Sequence, residues 1–267
     1  MDIKKFMKQD GEQPLDNIVT NGGMCGIFRK IACIGDSLSS GEFESFANDA
    51  KGYHDYYDYS WGQYMARDAG CTVFNMSKGG MSARDYEAFA REKGFYEDEY
   101  KSQAYIIALG VNDMSQVWNK EIEFGSAEDI DLEDYNKNKP TFAGYYARIV
   151  AKYQEIQPKA KFFLVTMPSD DREPEGDKLN AKHAEFLYQV ADMFKNCYVI
   201  DLRKYMPKHD EEFKKNFYLG GHLNAAGYRL TALVIESYID YIIRHNNEDF
   251  KQIGFVGTPF HNANEKW

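Results

Sequence analysis

Five short runs along the chain are almost unbroken in apolar residues: KIACIG (Lys30–Gly35), TVFNM (Thr72–Met76), AYIIALG (Ala104–Gly110), KFFLVT (Lys161–Thr166) and CYVID (Cys197–Asp201). Apolar runs without alternation are expected of strands covered on both faces. Between and after them, apolar residues recur every three or four positions, which predicts helices over roughly Ser60–Ala69, Phe142–Gln157, Lys178–Phe194 and Ala225–His245. This alternation predicts an α/β domain whose five-stranded parallel sheet lies between helical layers. Two long polar insertions, Ser39–Tyr59 and Ser115–Pro140, follow the first and third strands. Both leave the C-terminal edge of the sheet, where open α/β sheets bind ligands.

No internal repeat or linker divides the 267 residues, so the expectation is one domain over 1–267. Residues 1–29 read as an N-terminal extension and 246–267 as a tail packed back on the domain. With 43% hydrophobic and 15% aromatic residues the chain has enough material for a core of that size. The net charge of -10 argues against nucleic acid or an anionic membrane surface as partner, since both need a basic footprint. An uncharged or cationic ligand is easier to accommodate. Cys25, Cys33, Cys71 and Cys197 are scattered singly, without the spacing of a zinc site or disulfide framework. Three of them lie in or beside strands and read as buried thiols. The first seventeen residues contain no apolar signal core, and no run of eighteen apolar residues occurs, so the expected location is a reducing cytoplasm; separately, no metal and no cofactor are expected.

The candidate chemistry sits at strand ends. IGDSLSSGE delivers Ser37 to the C-terminal edge of the sheet, although Gly-Asp-Ser is also ordinary turn chemistry and Ser37 reads equally as a helix N-cap. NMSKGGMS brings two glycines, Gly79 and Gly80, whose backbone can approach a ligand closely. LGVNDMS places Asn112 at the same edge, where it also suits turn capping. FYLGGHLNAAGYRLTA sets His222 in a glycine turn before the last helix.

Taken in order, these four segments resemble the blocks of the SGNH (GDSL-like) hydrolase superfamily, over about Lys30 to Tyr241. The resemblance implies a flavodoxin-like three-layer α/β/α sandwich of strand order 2-1-3-4-5 and metal-free ester hydrolysis. It assigns Ser37 as nucleophile, His222 as general base, and an oxyanion hole of the Ser37 and Gly80 N–H groups with the Asn112 amide. The chemistry is coherent: a serine hydroxyl needs an imidazole to take its proton, and the oxyanion needs preorganised donors.

One position departs from the pattern. Leu219 stands where the superfamily usually has the aspartate that orients the histidine. Three readings follow: the main-chain carbonyl of Leu219 supports His222, a carboxylate from elsewhere replaces the aspartate, or the protein is impaired. The carbonyl is favoured, since a main-chain acceptor is a common way to hold an imidazole. Asp201 is the best remote acid, and Asp210, Glu211 and Glu212 read as a solvated charge run.

The stretch GYHDYYDYSW offers Tyr53, His54, Tyr56, Tyr57 and Trp61 as a platform for sugar rings, though such clusters more often serve packing. By analogy with the superfamily, the expected substrate is a small-acyl ester, such as an O-acetylated oligosaccharide. A carbohydrate-binding module with an impaired site, or an acyltransferase using the same serine, are the alternatives. The sequence sets no oligomeric state.

Overall fold

The computed structural model describes residues 11–47, 50–171 and 174–259. In chain order its strands are β1 (Lys30–Gly35), β2 (Glu42–Ala47), β3 (Ala50–Asp55), β4 (Thr72–Asn75), β5 (Ala104–Ala108), β6 (Lys161–Val165), β7 (Cys197–Ile200), β8 (Tyr218–Leu219) and β9 (His222–Leu223). The helices are α1 (Ser37–Ser40), α2 (Trp61–Ala69), α3 (Ala83–Lys93), α4 (Val111–Trp118), α5 (Phe142–Ile156), α6 (Pro174–Met193), α7 (Leu202–Tyr205), α8 (Glu211–Phe217), α9 (Ala225–His245) and α10 (Asn247–Phe250).

The central sheet runs β4-β1-β5-β6-β7 and all its neighbours pair in parallel. Counted over these five strands alone, the order is 2-1-3-4-5. Chain numbering differs because the hairpin β2–β3 is inserted after the first strand and belongs to a separate two-stranded sheet. Alternation along each strand divides the core into two layers. Ile31 and Cys33 of β1 and Ala104 and Ile106 of β5 face the layer under α2 and α9. Ala32, Ile34, Tyr105 and Ile107 face the layer under α3, α5 and α6. A strand apolar on both faces has no alternating signal, and the sequence shows none.

Two features differ from the sequence expectation. The insertion after β1 contains the antiparallel hairpin β2–β3, and helices such as α3, α4 and α8 fill segments outside the four predicted helical spans. Of the three cysteines expected to be buried, Cys33 is, whereas Cys71 and Cys197 are only partly covered; all four are free thiols.

The described part of the N-terminal extension is fastened to α9. Arg244, 2% exposed, donates to Glu12 Oε1 and Oε2 at 2.6 and 2.7 Å and to Asp240 at 2.7 Å. At the other end, Arg29 donates to the carbonyls of Gly254 and Val256, and Gln103 to that of Ile253. Residues 1–10 and 260–267 lie outside the described residues, so the extension and tail expectations reach past them. Among the described residues no helix is long and apolar enough to cross a membrane.

Candidate active site

Strand β1 ends at Gly35, and the chain turns at once into α1, with Ser37 as its first residue. The cap of that helix is Asp36, not Ser37: its side chain accepts from Leu38 N at 3.0 Å. The Ser37 hydroxyl is therefore not consumed as an N-cap, and the residue is half-buried at the sheet edge.

The turn after β4 is tied to this point. Lys78 N donates to the carbonyl of Gly35 at 3.3 Å and Ser77 Oγ to that of Cys33 at 3.0 Å. Gly80 adopts φ +73°, and nothing lies within 4 Å of where a Cβ would stand, so its backbone is exposed to an incoming group. The α4 segment joins the same turn, since Asn112 Nδ2 donates to the carbonyl of Met81 at 3.0 Å. One of its two amide hydrogens is thus used to position the turn. The next residue, Asp113, is fully buried and accepts from Ala83 N at 2.8 Å. Burial pushes the carboxyls of Asp36 and Asp113 up to about 7. The segments of Ser37, Gly80 and Asn112 are in this way hydrogen-bonded to one another at the C-terminal edge of the sheet.

His222 opens β9, directly after the Gly220-Gly221 turn that pairs β8 with β9. Its Nδ1 partner is the side chain of Glu44, at 3.3 Å from Oε2. This replaces both supports expected from sequence. Leu219 faces His222 as its strand partner across the turn, and the imidazole is held by a carboxylate instead of the Leu219 carbonyl. Asp201 is employed elsewhere: it caps α7 and accepts from Thr166 Oγ1 and Tyr188 OH at 3.0 and 2.9 Å. Asp210 caps α8, and Glu211 and Glu212 are exposed in that helix's first turn.

Glu44 is itself well held. Lys51 Nζ lies 2.6 Å from Oε1, and Gly221 N donates to Oε2 at 2.7 Å. The hydrogen bond from Lys51 leads the effects that hold Glu44 down at about 2 against its desolvation, so it stays ionised. The loop is shaped to it, because a Cβ at Gly220 would meet the Glu44 carboxylate at 2.6 Å.

A second carboxylate of the same strand face reaches the other ring nitrogen: Glu42 Oε1 lies 3.1 Å from His222 Nε2. Among the described residues no hydrogen bond joins His222 to Ser37; Nε2 is turned to Glu42. Tyr228 of α9 ties the two segments together, its hydroxyl lying 2.7 Å from the carbonyl of Glu42 and 3.1 Å from that of Ser37.

The aromatic stretch is only partly where a platform requires it. Tyr53 stands edge-on to His222, with ring centroids 5.5 Å apart, and is 54% exposed. Tyr56 packs edge-on against Phe43, and His54 bonds to Ser45 on the hairpin. Tyr57 turns inward to the carbonyl of Val73, and Trp61, 2% exposed, is part of the core under α9. These last two are packing residues because α2 begins at Trp61 and buries that end of its apolar face.

Neither Glu42 nor Glu44 was found from the sequence. The available signal was the alternation of Glu42, Phe43 and Glu44, which puts both acids on one side of a strand.

Residues 33–230 match the model of the GDSL-like lipase/acylhydrolase family. No curated protein matches the chain. Among solved structures, the chain is similar to the acetyl xylan esterase AlAXEase, with 20% identity and a TM-score of 0.53, covering 79% of this chain and 99% of that one. It is also similar to a family two carbohydrate esterase from Clostridium thermocellum solved in complex with cellohexaose, with 17% identity and a TM-score of 0.56, covering 83% of this chain and 65% of that one. A third is the carbohydrate esterase family 2 enzyme plus carbohydrate-binding domain from Corynascus thermopiles (Myceliophthora fergusii), with 17% identity and a TM-score of 0.55, covering 79% and 65%. At these identities the likeness is one of fold.

Proposed function

The chain belongs to the GDSL-like lipase/acylhydrolase family, and from that premise we propose that it is a serine esterase that cleaves small-acyl esters of carbohydrates. Ser37 is the nucleophile and His222 the base. Glu44 replaces the missing aspartate as the residue that fixes the imidazole. The observation that carries this reading is the buried, ionised Glu44 on Nδ1, because an acceptor there leaves Nε2 as the nitrogen that takes a proton.

Ser37 Oγ adds to the ester carbonyl as its proton passes to His222 Nε2. The oxyanion is received by the N–H groups of Ser37 and Gly80 and the second amide hydrogen of Asn112, where losing one donor costs roughly 2.7–4 kcal/mol of barrier. Collapse breaks the bond to the alcohol, which leaves with the proton from His222. Water then repeats the sequence on the acyl-serine, releasing the acid and restoring Ser37. Tyr53, exposed beside His222, is the ring best placed to meet the alcohol part of the substrate. The sugar assignment draws on the carbohydrate esterases of the same fold and on this exposed ring.

The contact of Nε2 with Glu42 is the observation that favours the second reading, a binding module that does not turn over. Labelling separates the two. A fluorophosphonate probe should modify Ser37 in the folded protein, and Ser37→Ala and His222→Ala should abolish both labelling and hydrolysis of short-chain nitrophenyl esters. A folded wild-type protein that resists the probe and leaves acetylated oligosaccharides intact would establish the binding module.

A further inference from the structure

Glu42 and Glu44 lie two residues apart on one face of β2 and are provisioned very differently. Glu44 receives Lys51, the Gly221 N–H and His222 Nδ1. The carboxylate of Glu42 has one polar partner among the described residues, His222 Nε2, and no lysine or arginine pairs with it. Its negative neighbours are Glu44 and Asp55, its strand partner across the hairpin. Burial is the first cause that raises its pKa; His222 works against this, and Asp55 and Glu44 add to it.

The placement is built into three segments. Glu42 Oε2 occupies the space into which a side chain at position 79 would project, so the glycine of the oxyanion turn is needed for the carboxylate to sit there. The Glu42 carbonyl is fixed by Tyr228 OH, which also binds the Ser37 carbonyl. A half-buried carboxylate set between the catalytic nitrogen and the oxyanion turn, in ion-pair contact with His222 but with no hydrogen-bond donor among the described residues, is a strong acceptor for an O–H group, since hydrogen bonds to charged acceptors are about twice as strong as neutral ones.

We propose that Glu42 is a specificity-determining residue: it pairs with the His222 Nε2–H until an ester bearing a free hydroxyl beside the scissile bond donates to its carboxylate, whereupon the ring gives up that proton to solvent and turns the bare Nε2 to Ser37. This rests on the Ser37 esterase reading above. Esters of simple alcohols lack the donor, so they meet an imidazole still engaged with Glu42 and react slowly. Polyol esters with a free neighbouring hydroxyl supply it, and their binding is coupled to assembly of the catalytic pair.

The test measures kcat/KM for 4-nitrophenyl acetate, for a methyl xyloside carrying one acetyl group beside a free hydroxyl, and for the same xyloside with that hydroxyl methylated. Wild type, Glu42→Gln and Glu42→Ala are compared; the Gln variant keeps the side-chain volume against Gly79. Wild type should lose about tenfold when the hydroxyl is methylated, and both variants should lose less than twofold. The variants should gain about tenfold on nitrophenyl acetate while losing about tenfold on the free-hydroxyl xyloside. Equal changes on all three substrates, or an equal cost of methylation in wild type and variants, would overturn the role of Glu42. If no fluorophosphonate label reaches Ser37 in any of the three folded proteins, the esterase reading itself fails and the role of Glu42 falls with it.

Discussion

Glu44 Oε2 lies 3.3 Å from His222 Nδ1, although 178 residues separate the two in the chain. The acid comes from a hairpin inserted after β1, and the turn before His222 is made of two glycines, one donating its N–H to that acid and the other leaving room for it.

Glu44→Gln should therefore lower kcat/KM by roughly 10² to 10⁴, because an amide on Nδ1 no longer fixes the tautomer or offsets the charge that forms on the ring. Asp201→Asn, which alters a helix cap away from His222, should stay within tenfold, and Leu219→Ala should be mild. The gap between the two acids is at least about 1.4 kcal/mol of barrier, and steady-state kinetics on one ester resolves it. Equal losses at Asp201 and Glu44 would remove Glu44 from its assigned place.

The sequence made the sheet legible and left the acid hidden, for one physical reason. The inner strands β1, β5 and β6 are buried along nearly their whole length and the edge strands β4 and β7 are partly covered, so each announces itself locally by an apolar run, and their ends locate Ser37, Gly80 and Asn112. The hairpin β2–β3 pairs only with itself, and its residues EFESFA and AKGYHD mix polar and apolar positions without an apolar run, so it resembles a loop. Whether Glu44 meets His222 depends on how that hairpin folds over the Gly220 turn, a relationship between distant segments. The aromatic stretch shows the same limit: Tyr53 and Trp61 are eight residues apart, yet one is exposed beside His222 and the other is core.

Gly220→Ala tests the fit of the histidine loop. At φ +67° a side chain costs about 1–2 kcal/mol of backbone strain. The added methyl also meets the Glu44 carboxylate at 2.6 Å. Gly70→Ala is the control, with φ +66° and open space around its Cβ position. Both variants should lower Tm by about 2–8 °C. Only Gly220→Ala should also reduce kcat/KM, by tenfold or more. Equal activity in the two variants would mean that Glu44 is not held through this turn.

Arg244→Ala should destabilise the protein by about 3–5 kcal/mol, since it strands Glu12 and Asp240 as buried acids without their cation. The hydrogen bond from Arg244 leads the effects that hold Glu12 down at about 2, from an ordinary 4.5. A depressed acid contributes stability above its unfolded pKa and loses it as pH falls through the folded one. Wild type should thus lose stability between about pH 4.5 and 2 in part through Glu12, and Arg244→Ala should flatten that limb. Urea midpoints across pH 2 to 7 measure both effects.

Asp113 predicts the opposite slope at higher pH. It is fully buried, and desolvation, opposed by the hydrogen bond from Ala83 N, pushes its carboxyl up to about 7, with Asp36 and Asp85 adding charge repulsion. A raised acid contributes its full stability below the unfolded value near 3.8 and loses it as pH rises through about 7, because folding then opposes ionisation. Asp113→Asn keeps an oxygen to accept from Ala83 N and removes the titration. The variant's Tm relative to wild type should therefore rise by more than about 2 °C between pH 5 and pH 8. Asp36, whose carboxyl is also pushed up to about 7 by burial, titrates over the same range and should leave the variant with a reduced alkaline slope instead of none. Melting curves for Asp113→Asn, Asp36→Asn and the double variant divide the slope between the two carboxyls. A Tm difference between Asp113→Asn and wild type that stays constant from pH 5 to 8 would mean that Asp113 is ionised throughout and that its buried site supplies donors beyond the Ala83 amide.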